Sequence, residues 1–253
     1  MIPRWHGTKL LVGAAVAATL VLSATSASAA PGDGSAYAAR ATLSGPLGVP
    51  TVNLGPIAPA DADGPTTGSL ASLPANTLLS AGLATTSAVR DDSTGVVQSQ
   101  ATIKDVGLTL GALGLSAGSL DATCTATQSG NTGTSTFGSL VVLGETLAAN
   151  PAPNTVRSVS VPGPLGPITI GSITLNEQTT NPDGSLTVNA LHLRVLPGSI
   201  IGTLVGQGDV VFSSATCGPA APPIPLASGL GLWLGLGGLV VVAVLARRRL
   251  TTR

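Results

Sequence analysis

The side chains able to do acid–base, nucleophilic or metal chemistry are few, and their scarcity sets the first bounds. The chain holds two histidines, two glutamates and two cysteines. His6 lies in an N-terminal basic and apolar segment, so His192 is the only imidazole in the body of the protein. No histidine cluster for a transition metal is available, and Cys124 and Cys217 alone do not complete a closed zinc site. A Ser-His-Asp arrangement would have to use His192. Glycoside cleavage would need two carboxylic acids facing each other across a cleft, and Glu145 and Glu177 are the only glutamates. Asp61-Ala62-Asp63-Gly64 has the start of a calcium loop without its third acidic position or its distal glutamate, and Asp91-Asp92 fits a solvated turn. No catalytic residue, cofactor or metal is expected from these patterns.

The cysteines fit a structural role better. Each ends the same tripeptide, Ala122-Thr123-Cys124 and Ala215-Thr216-Cys217. An even count in an exported domain predicts one disulfide. Two buried free thiols are the alternative.

Charge is sorted by position. All 11 acidic residues lie between Asp33 and Asp209, whereas six of the 11 basic residues sit at the two ends. Arg40, Arg90, Lys104, Arg157 and Arg194 alone face the 11 acids, leaving the middle at −6. That sign disfavours nucleic acid as a partner. Arg4 and Lys9 precede the uncharged run Leu10–Leu22 and a small-residue stretch, the pattern of a secretory signal. Cleavage is expected between Ala29 and Ala30. Thirteen apolar residues reach only about 20 Å as a helix, short of a bilayer core of roughly 30 Å. At the other end, the 21 uncharged residues Leu226–Ala246 suffice for a span, and Arg247, Arg248 and Arg249 mark its cytoplasmic side.

The expected organisation is a signal peptide (1–29), an exported β-domain (30–218), a proline-rich stalk (219–225), a single-pass transmembrane helix (226–246) and a basic cytoplasmic tail (247–253). A span with a basic tail is also the layout of a sortase-type wall-anchoring signal. Ile224–Gly229 is the nearest approximation to the required LPxTG-like motif, and Leu73-Pro74-Ala75-Asn76-Thr77 lies mid-chain with no span behind it.

The elements that must carry these residues read as strands. Apolar residues recur with period two and long helical periodicity is rare, so the fold class is all-β, a single β-sandwich-like domain. Candidate strands are Ala36–Leu43, Leu83–Asp91, Ala101–Leu110, Ser119–Gln128, Thr136–Leu143, Thr155–Val161, Ile168–Asn176, Ser185–Val195 and Asp209–Cys217. The proline-rich stretch Pro46–Pro74 is expected to run as an extended, irregular connection. Leu196–Gly206 fits a buried loop or a short helix. Asn181-Pro182-Asp183-Gly184 predicts a type I turn closing the hairpin Ile168–Val195. In both arms the apolar phase slips by one residue, which calls for a β-bulge near Gly171 and another near Asn189-Ala190, or else for an arm buried on both faces.

Three stretches carry a resemblance: Ile173-Thr174-Leu175-Asn176-Glu177-Gln178, Leu186-Thr187-Val188-Asn189-Ala190-Leu191-His192, and Val210–Cys217. Together they resemble the choice-of-anchor P family of actinobacterial surface proteins, over Ala36–Cys217. The resemblance implies an exported domain carried on a C-terminal anchor at the surface of a high-GC Gram-positive cell. It marks Asn176, Glu177, Gln178, Asn189 and His192 as motif positions and carries over no catalytic role. The expected function is that of a non-enzymatic cell-surface structural or binding protein. Its partners would be the lipid bilayer, through the C-terminal helix, and a cell-wall polymer or a surface protein. An envelope hydrolase using Glu145, Glu177 and His192 is the remaining alternative.

Overall fold

A computed structural model describes residues 31–44, 52–73, 79–110, 113–163, 166–196 and 207–222. The described residues are all-β, in two antiparallel sheets. The strands are β1 (Gly34–Ser44), β2 (Val52–Ile57), β3 (Ala60–Asp61), β4 (Thr67–Leu70), β5 (Leu79–Ser80), β6 (Ala84–Arg90), β7 (Val97–Leu110) and β8 (Leu113–Thr127). They continue with β9 (Gly130–Gly138), β10 (Val141–Val142), β11 (Glu145–Thr146), β12 (Thr155–Gly163), β13 (Gly166–Thr180), β14 (Leu186–Val195) and β15 (Gln207–Cys217). The first sheet runs β12-β13-β14-β15-β1-β2, with β3 also on β1. The second runs β11-β10-β8-β7-β6-β4, with β5 on β7 and β9 on β8. β15 lies across β7 and β8, and β14 across β8 and β9, so the sheets pack face to face as in a β-sandwich.

The core is built almost without aromatic rings. Alternating Ala, Val, Leu and Ile supply it, with Phe137 and Phe212 the only buried aromatics among the described residues. One end is thin. There Cys124 of β8 and Cys217 of β15 form the expected disulfide, with their Cα atoms 5.6 Å apart. Packed sheets usually lie about 10 Å apart. Small residues permit the approach: Gly34 pairs with Cys217, and Gly133 pairs with Cys124. A Cβ on Gly133 would collide with Val188 Cγ2 on the opposite sheet.

The proline-rich stretch departs from its expectation. It holds β2, β3 and β4, the first two on β1 and the third on β6. Pro56 survives in β2 because that strand lies at a sheet edge, where a missing N–H breaks no inner ladder. The hairpin turn forms as expected: Gly184 N donates to Asn181 O at 3.0 Å, and Asp183 Oδ1 accepts from Ser185 N at 2.9 Å. Gly184, at φ +83°, takes the left-handed conformation that suits glycine.

The phase slip has two forms. Between β12 and β13 the register shifts at Val159/Ser160 opposite Gly171/Thr169, leaving Ile170 as the extra residue of a bulge beside Gly171. The second slip is no one-sided bulge. Leu175, Leu191, Phe212 and Ala39 form one row across β13, β14, β15 and β1, all buried. Val188, Ala215 and Ala36 form the next inward row of β14, β15 and β1. Two residues separate these rows on every one of those strands where strict alternation allows one. Every strand carries the same insertion, so register is kept while the faces exchange. Asn176 and Ser213 in the slipping row take φ of 48° and 49°, and Ala58, opposite Ala38, takes 47°. The second sheet does the same. Ile103–Leu120 and Val106–Ala117 face inward, with Asp105 (φ 52°) and Gly118 in the row between.

The start of the domain and the start of the predicted stalk meet at the thin end. Gly218 N donates to Asp33 O, and Gly32 N to Pro219 O. Ala221 N donates to Gly95 O, and its carbonyl accepts from Gln128 Nε2 at 2.7 Å. Pro219–Ala221 therefore lie along the end of the sandwich. The Ala29–Ala30 cleavage site, Leu226–Ala246, Arg247–Arg249 and nearly all of Leu196–Gly206 lie outside the described residues. No helix among the described residues is long and apolar enough to cross a membrane.

Candidate functional site

The slip decides which way Glu177 faces. Ile173 and Leu175 point into the core, and unbroken alternation would send Glu177 after them. The extra residue, Asn176, turns Glu177 to the outer face, in a row with Asn189, Ser214 and Tyr37. The neighbouring outer row, before the slip, is Thr174, His192, Val211 and Arg40. Beyond it comes Ser172, Arg194, Asp209, Thr42 and Asn53. The outer face of the first sheet thus gathers polar and charged residues from five strands.

His192 is the centre of this cluster. Its Nδ1 lies 2.7 Å from Glu177 Oε2, and its Nε2 lies 3.0 Å from Asp209 Oδ1. Asn189 Nδ2 donates to the same Glu177 oxygen at 2.8 Å, and Arg194 Nη2 to the other at 3.3 Å. Arg194 Nε stands 3.7 Å from Asp209 Oδ1. A neutral imidazole has one N–H, whereas both ring nitrogens here face carboxylates, so the protonated form fits the site. The hydrogen bond to Glu177 raises the His192 pKa above its ordinary value, helped by the Glu177 charge and the Asp209 bond, against desolvation and Arg194. The same bond from His192 lowers the Glu177 pKa, against desolvation, with Asn189 and the charges of His192 and Arg194 adding to it. The side chains of both are nearly buried, at 11% and 13% exposure.

Of the five residues marked by the sequence resemblance, Glu177, Asn189 and His192 meet in this cluster. Asn176 and Gln178 do not. Asn176 Nδ2 donates to Pro151 O, and Gln178 Nε2 donates to Gly133 O and Asn176 Oδ1. They tie β13 to the loop before β12 and to the opposite sheet. Glu145 sits exposed in β11 at the edge of the second sheet, so the structure does not pair the two glutamates. Gly114-Leu115-Ser116-Ala117-Gly118 has the spelling of a nucleophile elbow, but it runs mid-strand through β8, with Ser116 exposed on the other sheet. To serve as a base, His192 would first have to release one of its carboxylates.

The calcium-like segment is occupied by a side chain. Arg90 Nη1 lies 3.1 Å from Asp63 Oδ1 and its Nε 3.0 Å from Asp92 Oδ1, a cation already between the two acidic stretches. Asp61 Oδ1 accepts from Asp63 N, and Asp91 Oδ1 from Ser93 N and Oγ. Hydrogen bonds from Ser93 first, then from Thr94, lower the Asp91 pKa. Among the described residues no group of three or more His, Cys, Asp or Glu side chains is placed to hold a metal ion.

No protein-family profile matches the chain, and neither a curated protein nor a solved structure matches it. The outer-face cluster therefore has to be read from its own chemistry. Asp209 was not legible as a partner of His192, nor Arg40 and Tyr37 as neighbours of the cluster, because they reach it through the order β14-β15-β1. The spacing of His192 and Arg194, two apart in one strand, is the only local sign.

Proposed function

We propose that this chain is an exported cell-surface display protein, held by its C-terminal segment in the cytoplasmic membrane, whose outer β-face binds an envelope component. The observation that carries the reading is the Cys124–Cys217 bridge, in a domain with no free cysteine among the described residues. Such bridges persist where the compartment is oxidising. The segregation of charge, the signal-like first 29 residues and the uncharged run Leu226–Ala246 support the same address. So does the resemblance of the Asn176–Gln178 and Asn189–His192 stretches to anchored actinobacterial surface proteins. Asn176, Glu177, Gln178, Asn189 and His192 then act as scaffold, fixing the outer face and the slip that shapes it.

Fractionation of the native host tests the reading, with intact mass taken from membranes and from muramidase-digested wall. A membrane-bound species beginning at Ala30, retaining Leu226–Ala246 and lighter by two hydrogens is the expected result. A wall-released species, truncated before Leu226 and carrying peptidoglycan fragments, would replace the membrane anchor with a sortase-type linkage. An uncleaved cytoplasmic species would remove the display reading altogether.

A further inference from the structure

Beside the His192 cluster the outer face is hollow. A cavity of about 600 Å3 is lined by Tyr37, Arg40, Thr42 and Val211, together with His192, Arg194 and Asp209. A second, of about 500 Å3, shares Thr42, Arg194 and Asp209 and continues past Asn53 and Gln207. The two form one trough across β14, β15, β1 and β2.

The polar groups in this trough and directly behind it divide in two. Glu177, His192, Asp209 and Arg194 bind one another and, with the imidazole protonated, sum to zero charge. Arg40 is exposed and pairs with no acid among the described residues, so it leaves the trough wall at +1 inside a region whose net charge is −6. The hydroxyls of Tyr37 and Thr42 make no side-chain hydrogen bond among the described residues. Asp209 spends Oδ1 on both His192 and Arg194, leaving Oδ2 to accept. A planar fork of donors, two hydroxyls and one carboxylate oxygen form a set that suits an oxyanion carrying hydroxyl groups.

We propose that this trough binds a hydroxylated oxyanion, a sugar or polyol bearing phosphate or carboxylate, with Arg40 on the oxyanion and Asp209 and Thr42 on its neighbouring hydroxyls. The inference deepens the display reading, since such units recur along envelope polymers and a trough accepts a chain. Arg194 and His192 hold Asp209 in place and are positioning residues. Near Arg40 the attraction is exposed, so binding weakens as salt rises.

Calorimetric titration of the full-length protein, extracted from membranes in detergent, tests this with glycerol phosphate and glucuronate as probes and glycerol and glucose as neutral controls. At least one anion should bind where the neutral compounds do not, and Arg40→Gln should weaken it about tenfold or more. Arg157→Gln, on the edge strand β12, should leave it unchanged, and the unfolding midpoints of both variants should match that of the parent. Binding of one anion only tells a phosphate source from a carboxylate source. Binding of neither, or equal loss from Arg40→Gln and Arg157→Gln, overturns the site. An anchored, exported protein that binds neither probe refutes this inference alone. Anion binding by a protein found in the cytoplasm refutes the display reading and keeps the site.

Discussion

The two sheets contain the same backbone device and use it differently. In each, one row of residues interrupts strict alternation on neighbouring strands, with positive φ at non-glycine positions: Asn176 and Ser213 in one, Asp105 in the other. In the second sheet the result is a change of face and little else. Lys104, Asp105, Gly118 and Ser119 reach the surface or lie near it, and Asp105 makes no ion pair. In the first sheet the slip turns Glu177 outward beside His192, and a four-member ionic network follows. The device thus shapes the sandwich in both sheets, and side-chain content alone makes one of them a candidate site. The slips also touch: Ser213 Oγ donates to Leu120 O, across the core, at 2.7 Å.

The largest effect should come from separating the sheets. Replacing Cys124 and Cys217 together by Ala opens a link across 93 residues of sequence and should cost about 2–5 kcal/mol in a denaturant titration. If the pair of slips located the sheets without help, the loss would fall below about 1 kcal/mol. Next comes the thin end, where Gly133→Ala drives a methyl at Val188, a buried β-branched side chain with no room to rotate away. Overpacking of this kind costs about 1–3 kcal/mol, and an unchanged unfolding midpoint would show the sheets free to part there.

Ser213→Ala tests whether the slips are joined through the core. It removes the donor of a buried bond that joins the two sheets, a loss of about 1–2 kcal/mol. Glu177→Gln then probes the ionic consequence of the slip in the first sheet. The Glu177 pKa is lowered on folding, so its contribution is present above the ordinary carboxyl range and fades as pH falls through the depressed value. The His192 pKa is raised, so its contribution is full below the ordinary imidazole range and fades as pH rises through the higher value. The parent should therefore show greatest stability between those two regions, and Glu177→Gln should flatten both flanks. Urea midpoints between about pH 3 and pH 9 cover the carboxylate and imidazole titrations. Parallel curves for parent and variant would mean the network contributes nothing.

What was readable in the sequence follows the range of the interactions. Period-two patterning, the Asn181–Gly184 turn and the cysteine pair are local or compositional, and each is present in the structure. The shared slip was visible in β14 as a break of phase at Asn189-Ala190, but not in β13 at Asn176, and its extension into β15 and β1 was masked by Ala38, Ala39, Ser213 and Ser214, whose small side chains suit either face. The short strands β2, β3 and β4 were hidden by the prolines in and between them, of which Pro56 is tolerated within β2 by its edge position. The site itself was half legible. Glu177, Asn189 and His192 belong to one hairpin, whereas Asp209 and Arg40 arrive from strands whose neighbours no local pattern states.

The smallest predicted effect bears most directly on the comparison. A left-handed conformation costs a non-glycine residue about 1 kcal/mol, and glycine escapes that cost while losing more freedom on folding. Asp105 makes no hydrogen bond or ion pair that a glycine would sacrifice among the described residues, so Asp105→Gly should leave stability unchanged or raise it by up to about 1 kcal/mol. Ser213→Gly relieves the same strain but forfeits the bond to Leu120 O, and it should still destabilise. Opposite signs for two substitutions at equivalent rows would show that the slip is bare geometry in one sheet and bonded structure in the other. Equal signs would mean that the φ values, and not the side chains, decide what each row contributes.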